Sequence, residues 1–256
     1  MTVHIFDTMG TTVSIRVTDS TDDTDRARAT AALDGIEKVF DLYDRDYSLY
    51  RPESPLSQLS RSDVTLAELS DDIRDTYARA LDWRQATHGA FTPHRPDGVI
   101  DLSGIVKADA LAAAHSVMRA HGFTAFSINA GGDMTVSGEP GAWVTGIAQP
   151  DGSGQPAAVV RLGGPWSAIA TSGTSERGEH IWRAADSTGS IIQATVLSSD
   201  IVTSDVWATA IVSGGSDTLE LATRTAGVAV LVFHADGEVR ANPAMMELLR
   251  QPAATH

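Results

Sequence analysis

Two polar glycine turns, about one helix apart within residues 97–138, gather the residue types that bind an anion. The first carries Asp101, Ser103, Gly104 and Lys107, the second Asn129, Gly131, Gly132 and Asp133. Glycine tolerates positive φ and lets main-chain N–H groups close on an anion. Lys107 supplies the positive charge that a phosphate needs. The stretch reads as strand, turn, helix, strand, turn, strand, and it points to a nucleotide-like ligand. A second grouping sets Asp205 and Thr209 four residues apart on an expected helix, hence on one face. A carboxylate and a hydroxyl are hard oxygen ligands suited to Mg²⁺, which keeps waters and borrows phosphate oxygens. On spacing alone the plainer reading carries more weight: an Asp favoured by the helix dipole, beside an ordinary Thr. A third grouping is Thr171-Ser172-Gly173 with Arg177 and His180. Hydroxyls, a guanidinium and an imidazole are able to hold phosphate oxygens and move a proton. By itself this grouping reads more simply as a polar hairpin turn.

Other chemistries are excluded. Gly131-Gly132 lacks the GxGxxG spacing of a dinucleotide fingerprint, and Lys107 lacks the GxxxxGK[ST] context of a P-loop. His88 and His94 are separated by a glycine turn and Pro93, and His115 and His121 read as helix-surface residues, so no zinc cluster is expected. Met245-Met246 reads as core. Asp22, Asp23 and Asp25 read as a helix start rather than a calcium site.

The elements that must position these groups follow from periodicity. Residues 3–18 alternate as a strand, and residues 26–43 carry apolar groups at helical spacing after a helix start at 21–25. Residues 44–62, polar and holding Pro52 and Pro55, read as a loop. Helices are expected over 70–87 and from about 105 to 120, stopped by Gly89 and Gly122. Short strands are expected near 125–130, 133–138, 142–148, 158–162, 166–171, 179–184 and 191–198. Helices over 200–212 and 217–225 precede strands at 228–233 and 238–241, and residues 252–256 read as a frayed tail. Strands and helices mix without strict βα alternation. The expectation is α+β: an antiparallel-rich sheet with flanking helices in one compact unit spanning 1–256.

Composition bounds the rest. The chain has 256 residues, 42% of them hydrophobic, and a net charge of −14. That charge argues against nucleic acid as a partner, which calls for a basic surface. It also means that a phosphate ligand needs local compensation, which a divalent cation supplies. With no cysteine there is no disulfide, thiolate metal site or cysteine nucleophile. The first residues show no basic segment followed by an apolar one, and no apolar run is long enough to span a membrane. A soluble, cytoplasmic protein is expected.

Taken in order, these pieces resemble the FAD:protein FMN transferase (ApbE) family of flavin transferases. Met9-Gly10-Thr11 opens the resemblance. Ser48-Leu49-Tyr50-Arg51-Pro52-Glu53-Ser54-Pro55-Leu56-Ser57 is similar to the family's S-x-Y-[RK]-P-x-S-x-L-S loop. Gly89-Ala90-Phe91-Thr92-Pro93 resembles G-A-F-D-P, and Asp101 to Lys107 resembles D-L-G-G-I-A-K. Asn129 to Asp133 resembles N-x-G-G-D, Thr171 to Arg177 resembles T-S-G-x-x-x-R, and Asp205 to Thr209 resembles the D-A-L-A-T metal motif. The chain departs at Thr92 and Ala108. It departs again at His180 to Gly189, where this chain's counterpart of the family's H-I-I-D-P-x-T-G segment is two residues longer and lacks Asp-Pro.

The resemblance implies a T-fold-like sheet and a set of roles. Met9 and Tyr50 line an FAD pocket, with Tyr50 stacking on a ring, and Ala90, Phe91 and Thr92 touch the flavin nucleotide. Asp101, Ser103 and Lys107 hold the ribityl or pyrophosphate part. Asn129, Gly131, Gly132 and Asp133, with Thr171, Ser172 and Arg177, frame the adenylate. Asp205 and Thr209 bind Mg²⁺, a main-chain carbonyl of the 103–107 turn adds a ligand, and His180 is the candidate base. The implied reaction moves FMN from FAD onto a Ser/Thr hydroxyl in an exposed loop of an acceptor flavoprotein and releases AMP. Two alternatives stand beside it: a Mg²⁺-dependent FAD hydrolase, and a non-catalytic FAD-binding protein. The lipoprotein leader common in the family is not seen, in keeping with the expected cytoplasmic location.

Overall fold

A computed structural model describes residues 2–18, 23–173, 191–224 and 227–250. The expected strand at 179–184 falls outside them. The expected single strand over 3–18 is a hairpin, β1 (Thr2–Thr8) and β2 (Thr11–Val17). The two turn residues, Met9 and Gly10, have φ of 48° and 69°, the pairing that a tight two-residue hairpin turn requires.

Four helices follow. α1 (Asp23–Tyr47) buries Ala29, Ala32, Ile36 and Phe40, spaced three and four apart along one face. It extends into the expected loop because Tyr47 is buried and stacks on Tyr43, while Arg45 is exposed and Asp44 and Asp46 are half-buried. α2 (Pro55–Ser60) is a second correction to that loop. Ser54 caps it by accepting the Ser57 N–H at 3.0 Å, and Pro55 sits in the first turn, where its missing N–H is no loss. α3 (Asp71–Ala86) is capped by Ser70. α4 (Ser103–Ala120) is not preceded by the expected strand; His94 and Ile100 form an isolated bridge there. Its small residues let it lie at the centre, with Ile105, Val106, Ala110, Leu111, Ala114 and Met118 all buried.

The rest of the chain returns to the sheet through β3 (Phe126–Ala130), β4 (Asp133–Ser137), β5 (Trp143–Ala148), β6 (Pro156–Leu162), β7 (Ala168–Gly173) and β8 (Ile191–Ser198). α5 (Ile201–Arg224) consists of two helical segments joined at Gly215, whose φ of 69° is non-helical, in keeping with the two helices expected. β9 (Ala229–His234), β10 (Val239–Ala241) and α6 (Pro243–Leu249) complete it. α6 was not expected. Asn242 caps it, Met245 is buried as anticipated, and Met246 is exposed.

Among the described residues, eight strands form one sheet in the order β1-β2-β3-β4-β7-β8-β9-β10, antiparallel throughout. It is a meander, interrupted by the α1–α4 block, by the β5–β6 ribbon and by α5. The period of two lets the central strands β7, β8 and β9 face two cores at once. Ile128, Ala170, Ala194, Val196, Val230 and Val232 face α1, α4 and α5. Met134, Val136, Ile169, Leu197, Leu231 and Phe233 face the β5–β6 ribbon and α6. Burial on both faces explains why β9 is apolar from Ala229 to Phe233. The α+β, antiparallel-rich expectation holds.

Candidate functional site

In a meander, alternate turns fall at the same end of the sheet. The β1–β2 turn at Met9-Gly10 and the β3–β4 turn at Gly131-Gly132 are neighbours there, joined by the Gly131 N–H donating to the Thr12 carbonyl at 3.3 Å. Asn129 shapes the second turn, its side-chain oxygen accepting the Gly132 N–H at 3.3 Å. Gly132 has φ of 99°, which an L side chain rarely adopts. Its N–H and that of Gly131 lie on an exposed loop.

Onto this end of the sheet, α4 delivers Lys107. Its ammonium pairs with Asp133, the first residue of β4, and lies 4.0 Å from Asp205 on α5. The Asp133 side chain is 1% exposed and that of Lys107 12%. The other Asp133 oxygen accepts the Thr171 N–H at 3.0 Å, locking β4 to β7. Asp133 is therefore turned inward and acts through Lys107 and Thr171. Thr171 Oγ1 lies 2.8 Å from Thr195 Oγ1 on β8, and Ser172 Oγ lies 3.0 Å from Thr209 Oγ1 on α5. Asp205 and Thr209 share a helix face, as their spacing predicts. The α5 start that aims them is capped by Asp200, which accepts the Thr203 N–H at 2.8 Å.

The approach to α4 is equally defined. The Asp101 carboxylate accepts the Ser103 N–H at 2.9 Å, and the Asp101 N–H donates to the Pro93 carbonyl at 2.8 Å. This holds the 90–93 loop against the helix start. Thr87, buried at the end of α3, accepts the Phe91 N–H at 3.0 Å and donates to the Trp83 carbonyl at 2.8 Å. Phe91 then packs against Gly104: a Cβ there would sit 3.0 Å from the ring. Ala90 is buried against Gly214, at the break in α5. The Thr92 hydroxyl accepts the His94 N–H at 3.2 Å.

The structure thus brings together Lys107, Asp133, Thr171, Ser172, Asp205 and Thr209. Met9, Asn129, Gly131 and Gly132 stand on the adjoining turns, and Ala90, Phe91, Thr92, Asp101 and Ser103 build the α4 approach. Tyr50 stands apart from the hydrogen-bonded cluster, on the α1–α2 loop with its ring 83% exposed. Arg177 and His180 lie outside the described residues. Thr195 and Thr87 escaped the sequence reading. Thr195 sits in an apolar strand with no motif around it and is found through strand register, opposite Thr171. Thr87 carries a local signal, a hydroxyl two residues before the Gly89 helix stop.

Two charged or titratable groups near the site have structural roles. Asp109, two residues past Lys107, faces away and makes a two-pronged pair with Arg79 at 2.7 and 2.8 Å. Beside it, burial and then the Asp109 charge push the Tyr43 hydroxyl up to about 12. His115 is not a surface residue. Its ring packs 4.8 Å from Phe126, its Nδ1 lies 3.1 Å from Thr135 Oγ1, and burial lowers its pKa.

A cation would find one buried carboxylate and one hydroxyl here. Among the described residues no three carboxylate or imidazole groups converge on a point. That donor set fits a hard ion that completes its shell with waters and phosphate oxygens, and it does not fit a zinc cage. Among the described residues no helix is long and apolar enough to cross a membrane.

Three comparisons bear on this geometry. The family model described as the ApbE family matches residues 9–95 and 94–232. Among curated proteins no match was found. Solved structures share the fold across nearly the whole chain. The ApbE protein of Thermotoga maritima superposes with a TM-score of 0.75 at 18% identity, covering 98% of this chain and 99% of its own. The flavin transferase ApbE of Vibrio cholerae gives 0.75 at 21%, covering 97% and 99%. The apo form of the Pseudomonas stutzeri flavinyl transferase ApbE gives 0.73 at 17%, covering 97% and 98%.

Proposed function

The chain belongs to the ApbE family, and from that premise we propose that it is a Mg²⁺-dependent FAD:protein FMN transferase. It moves FMN from FAD onto a Ser or Thr hydroxyl in an exposed loop of an acceptor flavoprotein and releases AMP. The observation that carries this reading is the meeting of Lys107, Asp133, Thr171, Ser172, Asp205 and Thr209, drawn from four elements, at one end of the sheet. An ammonium and a carboxylate–hydroxyl pair are what a pyrophosphate and its cation need.

The residues divide the work by chemistry. Lys107 and the α4 start face the pyrophosphate, and Asp133 orients Lys107. Asn129 to Gly132 and Thr171-Ser172, with Arg177, frame the adenylate. Ala90 to Thr92 and Met9 line the flavin side, and Tyr50 offers an open ring for stacking. Asp205 and Thr209 hold Mg²⁺, which when bound neutralises charge on the pyrophosphate. The acceptor hydroxyl oxygen forms the new bond to the flavin-side phosphorus, and the bond from that phosphorus to the bridging oxygen breaks. The bridging oxygen leaves with AMP, and the hydroxyl proton passes to a base, for which His180 is the candidate. The protein's part is positioning, charge stabilisation and that one proton transfer.

The test is AMP release from FAD with Mg²⁺, with and without an acceptor, in the wild type and in Asp205→Ala. The expected result is acceptor-dependent AMP with covalent FMN on the acceptor. Asp205→Ala removes AMP release and keeps most FAD binding; Thr209→Val costs less. AMP with free FMN, irrespective of acceptor, identifies a hydrolase. FAD binding without AMP in every condition identifies a flavin-binding protein.

A further inference from the structure

Resting on the metal-site reading above, we propose that Lys107 is a built-in competitor for the divalent cation at Asp205. One ammonium lies between two buried carboxylates. It pairs with Asp133 and stands 4.0 Å from the Asp205 Oδ2, and the two carboxylate side chains are 1% and 6% exposed. Asp133 is committed on its other side to the Thr171 N–H, so its position is fixed and Lys107 is held close to Asp205. At 4 Å in a site shielded from solvent, unit charges interact far more strongly than in water. The ammonium therefore lends Asp205 part of its counter-charge before any metal arrives. A divalent cation approaching Asp205 meets a like charge and has to displace that contribution. Lys107 is a positioning residue in this role: it sets how tightly the ligand-free protein takes up the cation.

The experiment uses the full chain without FAD and reads Mn²⁺ affinity from the free-ion electron spin resonance signal. Wild type is compared with Lys107→Met, with the neutral pair Lys107→Met/Asp133→Asn, and with the triple variant that adds Asp205→Ala. The neutral pair removes the ammonium without leaving Asp133 as a new buried anion, and it covers the case in which Lys107→Met fails to fold. We expect the neutral pair to bind Mn²⁺ about tenfold more tightly than wild type, within the usual range of coupling between neighbouring sites. Adding Asp205→Ala should abolish the gain. A neutral pair no tighter than wild type overturns the proposal. So does a gain confined to Lys107→Met, which would belong to the freed Asp133, and so does a gain that survives Asp205→Ala. FAD binding, read separately by fluorescence quenching, reports on the flavin-transfer reading and can fail without moving the Mn²⁺ comparison.

Discussion

Replacing Asp133 by Asn tests whether the site is held together by charge. The substitution is nearly isosteric, and it keeps the oxygen that accepts the Thr171 N–H at 3.0 Å. What it removes is the negative charge beside Lys107, in a pair whose side chains are 1% and 12% exposed. Neutralising one partner of a buried pair costs about 3–5 kcal/mol. Asp205, 4.0 Å from the same ammonium, retains part of the compensation, which brings the expected loss down to about 2–3 kcal/mol. Asp133→Ala should cost about 1–3 kcal/mol more, because it also leaves the Thr171 N–H without its acceptor. Lys107→Met/Asp133→Asn should recover most of the loss, since the uncompensated ammonium is gone. Urea unfolding with the double-mutant cycle measures this coupling, and a thermal melt should show Asp133→Asn lower by about 5–10 °C for a chain of this size. An Asp133→Asn protein within about 0.5 kcal/mol of wild type would refute the argument that this pair is structurally essential.

Three further outcomes are expected. Gly104→Ala should lose the roughly 1 kcal/mol that alanine normally adds to a helix, because its Cβ would meet the Phe91 ring at 3.0 Å; FAD affinity should fall as the 90–93 loop shifts, measured by flavin-fluorescence quenching. Tyr50→Ala should weaken FAD by about 0.5–1.5 kcal/mol beyond any loss in Tyr50→Phe; equal losses would point to the hydroxyl instead of the ring. His115 is held below its ordinary pKa by burial, and then by Arg119, so the unfolded chain binds its proton more readily than the folded one. Stability should therefore rise with pH up to about 6.5 and fall on acidification below it, and urea midpoints should show that slope shrinking in His115→Gln.

The parts of the fold that were legible are those whose signal is local. β3 and β4 follow from alternation around a glycine turn, and α3 and α4 from period and stops. The helical segments that were missed share one cause, the treatment of polar residues and prolines as breaks. Arg45 is exposed and Asp44 and Asp46 are half-buried on a helix that Tyr47 anchors in the core. Pro55 and Pro243 open helices, each behind a capping side chain, Ser54 and Asn242, so the signal for α2 and α6 was present as a cap-then-proline pattern. In the site, Asp205 and Thr209 were readable because four residues make one helical turn. The Lys107–Asp133 pair was not, because it joins two elements through the topology of the sheet. Thr195 is legible in no motif at all: its role comes from standing opposite Thr171 in the ladder.

Of the meander's three interruptions, one spans far more chain than the others. β2 pairs with β3, Val17 opposite Phe126, across the whole α1–α4 block, and closing a loop of about a hundred residues costs chain entropy that the later hairpins escape. On the ribosome, β2 is made well before its partner. At typical elongation rates it waits about 5–20 s for β3, with Val13, Ile15 and Val17, all buried in the finished sheet, without their cover. The N-terminal hairpin is thus the part of the sheet that waits longest for its neighbour, and the stretch of nascent chain most in need of a holdase.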